Sequence, residues 1–184
     1  MRPTCLLLLT VLASPAVAQT QTGGPTGTSN ATGSPFSPIA DARAQWRAIS
    51  GYVLQAAMDV PEEKYSYKPT PQVRSFGEMF AHVAGAESMF CAVALGEKPP
   101  SEDAVVSTTK AGLIAALKQS AGNCERAYGQ SDAAVASNVD VFGTQRSRLY
   151  ALMMNATHDG EHYGNLITYM RMNGMVPPSS RPAR

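Results

Sequence analysis

At 184 residues, with 15 Lys and Arg against 14 Asp and Glu, the chain carries a formal charge of +1 and is 44% apolar. So even a balance gives no electrostatic hold on nucleic acid or an anionic membrane, and neither is expected as a partner. The length allows one ordinary domain with some chain to spare.

Residues 1–18 read as a signal peptide. Arg2 supplies the positive start, Leu6 to Leu12 an apolar run, and Ala16-Val17-Ala18 the small-x-small pattern for cleavage after Ala18. Cys5 precedes the run, which excludes a lipoprotein anchor. The expectation is an exported protein, periplasmic or extracellular, whose formal charge falls from +1 to zero when Arg2 is removed. Residues 19–38 are almost wholly Gln, Thr, Gly, Pro, Ser, Asn and Ala, too poor in apolar surface to offset their ordering, and read as a disordered linker. No later run approaches the ~20 apolar residues of a membrane helix. The remainder divides into one domain over residues 39–180 and a tail over 181–184.

Four helices are expected in that domain, and no strand. The first runs from about Ile39 to Met58, with Ile39, Ala42, Trp46, Ile49, Val53 and Ala57 on one face. The second opens on a capping box, Ser75 with Glu78, and runs to about Leu95 before Gly96. The third spans about Thr109 to Tyr128. A looser stretch follows to about Gln145, with one helical turn near Ala133. The fourth covers about Arg146 to Asn173, with Gly174 and Pro177-Pro178 beyond its end. Four periodic helices point to an all-α, four-helix bundle.

The histidines carry most of the functional signal. His158 and His162 are four apart on the last helix, so they project from nearly one face and can reach one ion. His82, midway along the second helix, is the candidate third ligand. Three imidazoles leave positions open for water or substrate, as catalytic sites do. On the helical wheel, Leu149, Leu152, Ala156, Gly160, Tyr163, Ile167 and Met170 form the apolar stripe, and the two histidines fall on the opposite side. A solvent-exposed pair fits that placement as well as a metal site does. His158 to His162 also matches the H-x-x-E-H protease pattern, but no Asp or Glu follows Glu161 to serve as a third ligand.

Lys68 to Val83, with Ser75, Glu78 and His82 inside it, resembles the second-helix signature of the DinB/YfiT-like superfamily. Asn155 to Leu166, continuing through Tyr169-Met170-Arg171 to Pro177-Pro178-Ser179-Ser180, resembles that family's last helix and tail. The resemblance implies a bundle in up-down-down-up order and a divalent transition metal, zinc or nickel, held by His82, His158 and His162. It also implies a small-molecule substrate, with thiol-dependent transferases and an isomerase among the relatives, and a homodimer. The chain departs from the pattern in carrying an export signal.

Under that topology the second and third helices run parallel, which puts Cys91 and Cys124 at one level, where they can either bridge as a disulfide or stay as two buried free thiols. An antiparallel pair would hold them roughly 20 Å apart. Glu87 falls inside the apolar stripe of the second helix and needs a partner, for which Arg43 or Arg47 is expected. Trp46 reads as packing. Asn155, Asp159, Glu161 and Asn165 are candidates to orient the histidines. No catalytic base is assigned, since Glu161 lies about 80° from the mean direction of the histidine pair. The leading expectation is a metal-dependent hydrolase or transferase acting on a small molecule. The alternatives are a non-catalytic module binding metal or a small ligand, and a helical dimerisation scaffold.

Overall fold

The computed structural model describes residues 36–182. The expected signal peptide and most of the expected linker lie outside the described residues, as do residues 183–184.

Ser37 caps α1 (Pro38–Asp59) by accepting from Ala40 N, and Pro38 supplies the preset φ of a first helical residue. The helix therefore begins inside the stretch assigned to the linker. The Ser75–Glu78 capping box opens α2 (Phe76–Leu95), and Gly96 at φ 74° closes it. Thr109 caps α3 (Lys110–Tyr128), and Ser147 caps α5 (Arg148–Met172). Arg181 reaches Asp59 at 2.7 Å, so the fold extends past the boundary set at residue 180.

The loose stretch holds more than one turn. The short α4 (Asp132–Val135) is followed by an antiparallel hairpin, β1 (Asn138–Val141) with β2 (Thr144–Ser147), in which Val141 faces Thr144. The expectation of no strand is corrected here. At its tip Phe142 and Gly143 both have positive φ, 53° and 83°, which matches the right-handed twist of a two-residue hairpin. The Asp140 carboxylate accepts from Gly143 N at 2.9 Å and holds that turn.

The core forms two clusters. One gathers Phe76, Phe80, Leu113, Leu166 and Met170, and the other Trp46, Cys91, Cys124, Tyr128 and Leu152. Like ends of α2 and α3 lie together: a Cβ on Gly77 would sit 3.6 Å from Leu113 Cδ1, and Cys91 is disulfide-bonded to Cys124 with Cα atoms 5.2 Å apart. Opposite ends of α2 and α5 meet: Arg148 donates to Ala94 O at 2.8 Å, and Tyr169 packs edge-on against Phe76 at 5.5 Å.

By length and composition α2 is apolar enough to cross a membrane, at a mean hydropathy of 1.2, contrary to the sequence expectation. In the fold 61% of that window is buried, and the helix packs against α3 and α5. The helix is apolar because it is central.

The reading of α5 also needs correction. Its apolar stripe is buried at Leu152, Ala156, Tyr163 and Met170, but so is the other side, at Ala151, Asn155, Asp159, His162, Leu166 and Tyr169. Ile49 of α1 lies 3.6 Å from a Cβ built on Gly160, whereas His82 of α2 meets His158 and His162. Flanked on both sides, α5 turns its histidines toward a neighbouring helix instead of bulk water.

Candidate metal centre

The three histidines arrive from two helices. Their Nε2 atoms are 3.0 Å apart for His82 and His162, 3.1 Å for His82 and His158, and 3.0 Å for His158 and His162. His162 is 7% exposed, and the other two are half-buried. An imidazole nitrogen carries either a proton or a lone pair. Three of them in mutual contact must leave at least one pair facing like to like, so hydrogen bonding alone cannot satisfy the cluster. A cation shared by three lone pairs removes the conflict. The three Nε2 atoms converge closely enough that one ion could be held by all of them at ordinary imidazole–metal bond lengths. The donor set fits a divalent transition ion and leaves the far side open.

Electrostatics favour the ligating form. Burial pushes all three histidines below the ordinary imidazole value, and Arg74 adds to that effect on each. For His162 the value falls to about 4, with His158 and His82 contributing after burial. The rings are therefore neutral at pH 7, with lone pairs free for an ion. Their Nδ1 atoms are buried without hydrogen-bond partners among the described residues.

Beneath His158 lies Asp159, fully buried, with Oδ1 3.8 Å from His158 Nδ1. That separation is too long for a hydrogen bond, and neither carboxylate oxygen has a partner among the described residues. Burial pushes Asp159 up to about 8. The other candidates spread out. Asn155 donates to the Tyr128 hydroxyl at 3.3 Å inside the core. Exposed Glu161 and Asn165 stand on the rim of the cleft beside the histidines.

Glu87 does not pair with Arg43 or Arg47. Trp46 Nε1 donates to its Oε1 at 2.6 Å, and the Ser120 hydroxyl donates to its Oε2. Trp46 thus does more than pack, although it also stacks on Tyr128 at 4.5 Å. Burial, and then the nearby Asp159, push Glu87 up to about 7. The two arginines hold Glu125 instead, at 2.6 and 2.7 Å, and the Arg47 hydrogen bond draws its carboxyl down to about 2. Exposed partners on adjacent helix surfaces are cheaper to desolvate than a carboxylate 1% exposed in the core.

Two cavities adjoin the histidines. A cleft of about 860 Å³ is lined by His82, His162, Arg74, Glu102, Asp103 and Glu161, among others. A groove of about 390 Å³ is lined by Phe90, Tyr150, Met153, Met154, His158 and Glu161, with Thr157. Arg74, Glu102 and Asp103 were not singled out from sequence. The connection after α2 brings the acids in by crossing that helix at Gly85, whose missing side chain admits the Glu102 backbone. A glycine in the middle of a central helix was the available signal.

The family model of the DinB superfamily matches residues 45–166. The fold is similar to the crystal structure of a DinB-like protein from Bacillus cereus, with a TM-score of 0.67, 17% identity, and coverage of 76% of this chain and 95% of that one. A DinB-like protein from Bacillus subtilis matches with a TM-score of 0.62 and 19% identity, over 78% of this chain and 99% of its own. At such identities the likeness speaks for the fold alone. No curated protein matches the chain. The family model covers most of the bundle, including all three histidines, and the chain belongs to the DinB superfamily.

Proposed function

We propose that the chain is an exported, metal-dependent hydrolase or transferase acting on a small molecule. His82, His158 and His162 hold one divalent transition ion, zinc or nickel, through their Nε2 atoms. The observation that carries this reading is the mutual approach of three buried or half-buried Nε2 atoms to within 3.1 Å. An up-down-down-up order belongs to the same reading, supported by the like ends of α2 and α3 and the opposed ends of α2 and α5.

A divalent ion there supplies Lewis acidity, polarising a substrate oxygen or acidifying water or a thiol. The protein does the rest. Asp159, whose Oδ1 lies 3.8 Å from His158 Nδ1, would accept that nitrogen's proton once the ring turned toward it, and so fix which nitrogen faces the ion. Glu161 lines both cavities and is the carboxylate best placed to move a proton to or from a substrate. Export is supported by the signal-like residues 1–18 and by a disulfide, a bond that persists in oxidising compartments.

Elemental analysis of the purified protein beside a His158→Ala/His162→Ala variant tests the site. One transition ion per chain in the parent and none in the variant is expected; equal contents would overturn it. Turnover by the loaded protein of ester, amide or thiol-adduct substrates then tests the enzyme reading, and failure on all three classes leaves a binding module.

A further inference from the structure

The cleft beside the histidines holds charges that do not satisfy one another. Lys68 and Glu78 pair at 3.6 Å. Arg74, Glu102, Asp103 and Glu161 line the same cleft, yet among the described residues none of them forms an ion pair. Exposed cation and anions thus line, without pairing, one space large enough for a small molecule. A ligand with one charge alone would pair with one wall and face the other unpaired. The ligand that suits both walls carries both charges.

The furrow continues past the histidines as an apolar groove. Phe90 follows His82 by eight residues of α2, about 12 Å along the helix, whereas Arg74 precedes the helix, just ahead of its Ser75 cap. Beyond His158 the walls are Phe90, Tyr150, Met153 and Met154, with Met153 55% exposed. Glu161 borders both spaces, which makes them two arms of one site rather than unrelated hollows.

From this juxtaposition we infer that the ligand is a small zwitterion with an apolar arm. Its carboxylate meets Arg74, its ammonium meets Glu102, Asp103 and Glu161, and its arm lies along Phe90 and Met153 past the histidine centre. The chemical class is an α-amino acid bearing a long or aryl-tipped side chain. The inference rests on the metal site for its chemistry but not for its selectivity, because the selecting groups are side chains of this chain.

Calorimetric titration of the full-length, metal-loaded protein with 2-amino-6-phenylhexanoate tests it, beside the amide, the N-acetyl form and 2-aminohexanoate. The parent compound is expected to bind about tenfold tighter than each of the others, the effect of one lost charged or apolar contact. Arg74→Gln is expected to erase the preference for the acid over the amide, and Met153→Glu the preference for the phenyl arm. Equal binding of all four compounds overturns the proposal. So does a dimer that Met153→Glu dissociates, because the groove then belongs to a second copy of the chain. Metal content is measured on the same samples. Selectivity without bound metal would sink the metal reading and leave this one standing; bound metal without selectivity would do the reverse.

Discussion

The Asp159 carboxylate lies 3.8 Å from Nδ1 of His158, and both groups are buried with no hydrogen-bond partner among the described residues. An unpaired polar group in the interior costs roughly 1–3 kcal/mol, so the arrangement is expensive unless something completes it. Turning the ring toward the carboxylate would shorten that separation, and an ion on Nε2 would hold the ring in place. Asp159→Asn should therefore weaken metal binding by about 10–100-fold, the usual cost of losing an outer partner of a ligating histidine. The metal-free variant should keep about the parent's stability at pH 7, since burial already holds the Asp159 carboxyl neutral there and a neutral amide of the same shape replaces it. Competition with a metallochromic chelator reads the first effect and urea unfolding the second. Unchanged affinity would mean that Asp159 has no hold on the site.

Glu87 makes the metal-free protein sensitive to pH. Its folded value of about 7 stands above the ordinary 4.5, because burial and then Asp159 penalise the charged form. The folded state therefore binds more protons than the unfolded state between those values. The associated stability is complete below pH 4.5 and is lost as pH rises through 7. At about 1.4 kcal/mol per unit, the loss is at most about 3 kcal/mol. Glu87→Gln removes the charge while its carbonyl oxygen accepts from Trp46 Nε1 and its amide N–H donates to the Ser120 oxygen, whose hydroxyl can donate to Leu117 O. Its stability should exceed that of the parent by a margin that widens from pH 5 to pH 8, measured by urea unfolding in a chelator. A margin that stays constant across that range would show that Glu87 does not titrate there.

The bundle was legible because its signals are local. The Ser75–Glu78 box, Gly96 and Gly174 set helix ends, and three-four spacing set the faces. The histidine positions were legible for the same reason, since a four-residue spacing fixes direction on a helix. What surrounds them was not. A wheel shows one helix at a time, so it assigned α5 a single buried face, whereas α1 and α2 bury it from both sides. The partner of Glu87 depended on α3 delivering Ser120 and on the Trp46 indole turning its N–H inward, and neither leaves a periodic trace. The hairpin escaped because its strands are four residues each and its turn is Phe142-Gly143, in place of the Asn-Gly that usually marks such a tip.

The Cys91–Cys124 bond closes a separation of 33 residues that includes the strap between α2 and α3. The loop-entropy relation puts its contribution at about 4 kcal/mol, mostly by restricting the unfolded chain. Replacing both cysteines by Ala should lower unfolding stability by an amount of that order. Both side chains are fully buried, so in the intact protein neither should react with an alkylating reagent unless reductant and denaturant are present together. A mass increase on alkylation without reductant would show free thiols and remove the bond from the account.

Gly85 sets two effects against each other. In an ordinary helix interior, Gly→Ala adds about 1 kcal/mol of stability by helix propensity. Here a Cβ would stand 2.7 Å from the Glu102 carbonyl carbon, and closer still to its oxygen. Backbone cannot swing aside as a flexible side chain can, so the strap must lift from α2. Overpacking of this kind costs about 1–3 kcal/mol, which outweighs the propensity gain. Gly85→Ala should thus destabilise the protein, and it should also carry Glu102 and Asp103 away from the histidines. Hydrogen exchange gives the readout specific to this site: faster exchange confined to residues 97–108, with the helices unaffected. A variant more stable than the parent, with unaltered exchange in the strap, would mean that the strap does not lie against the helix at this point.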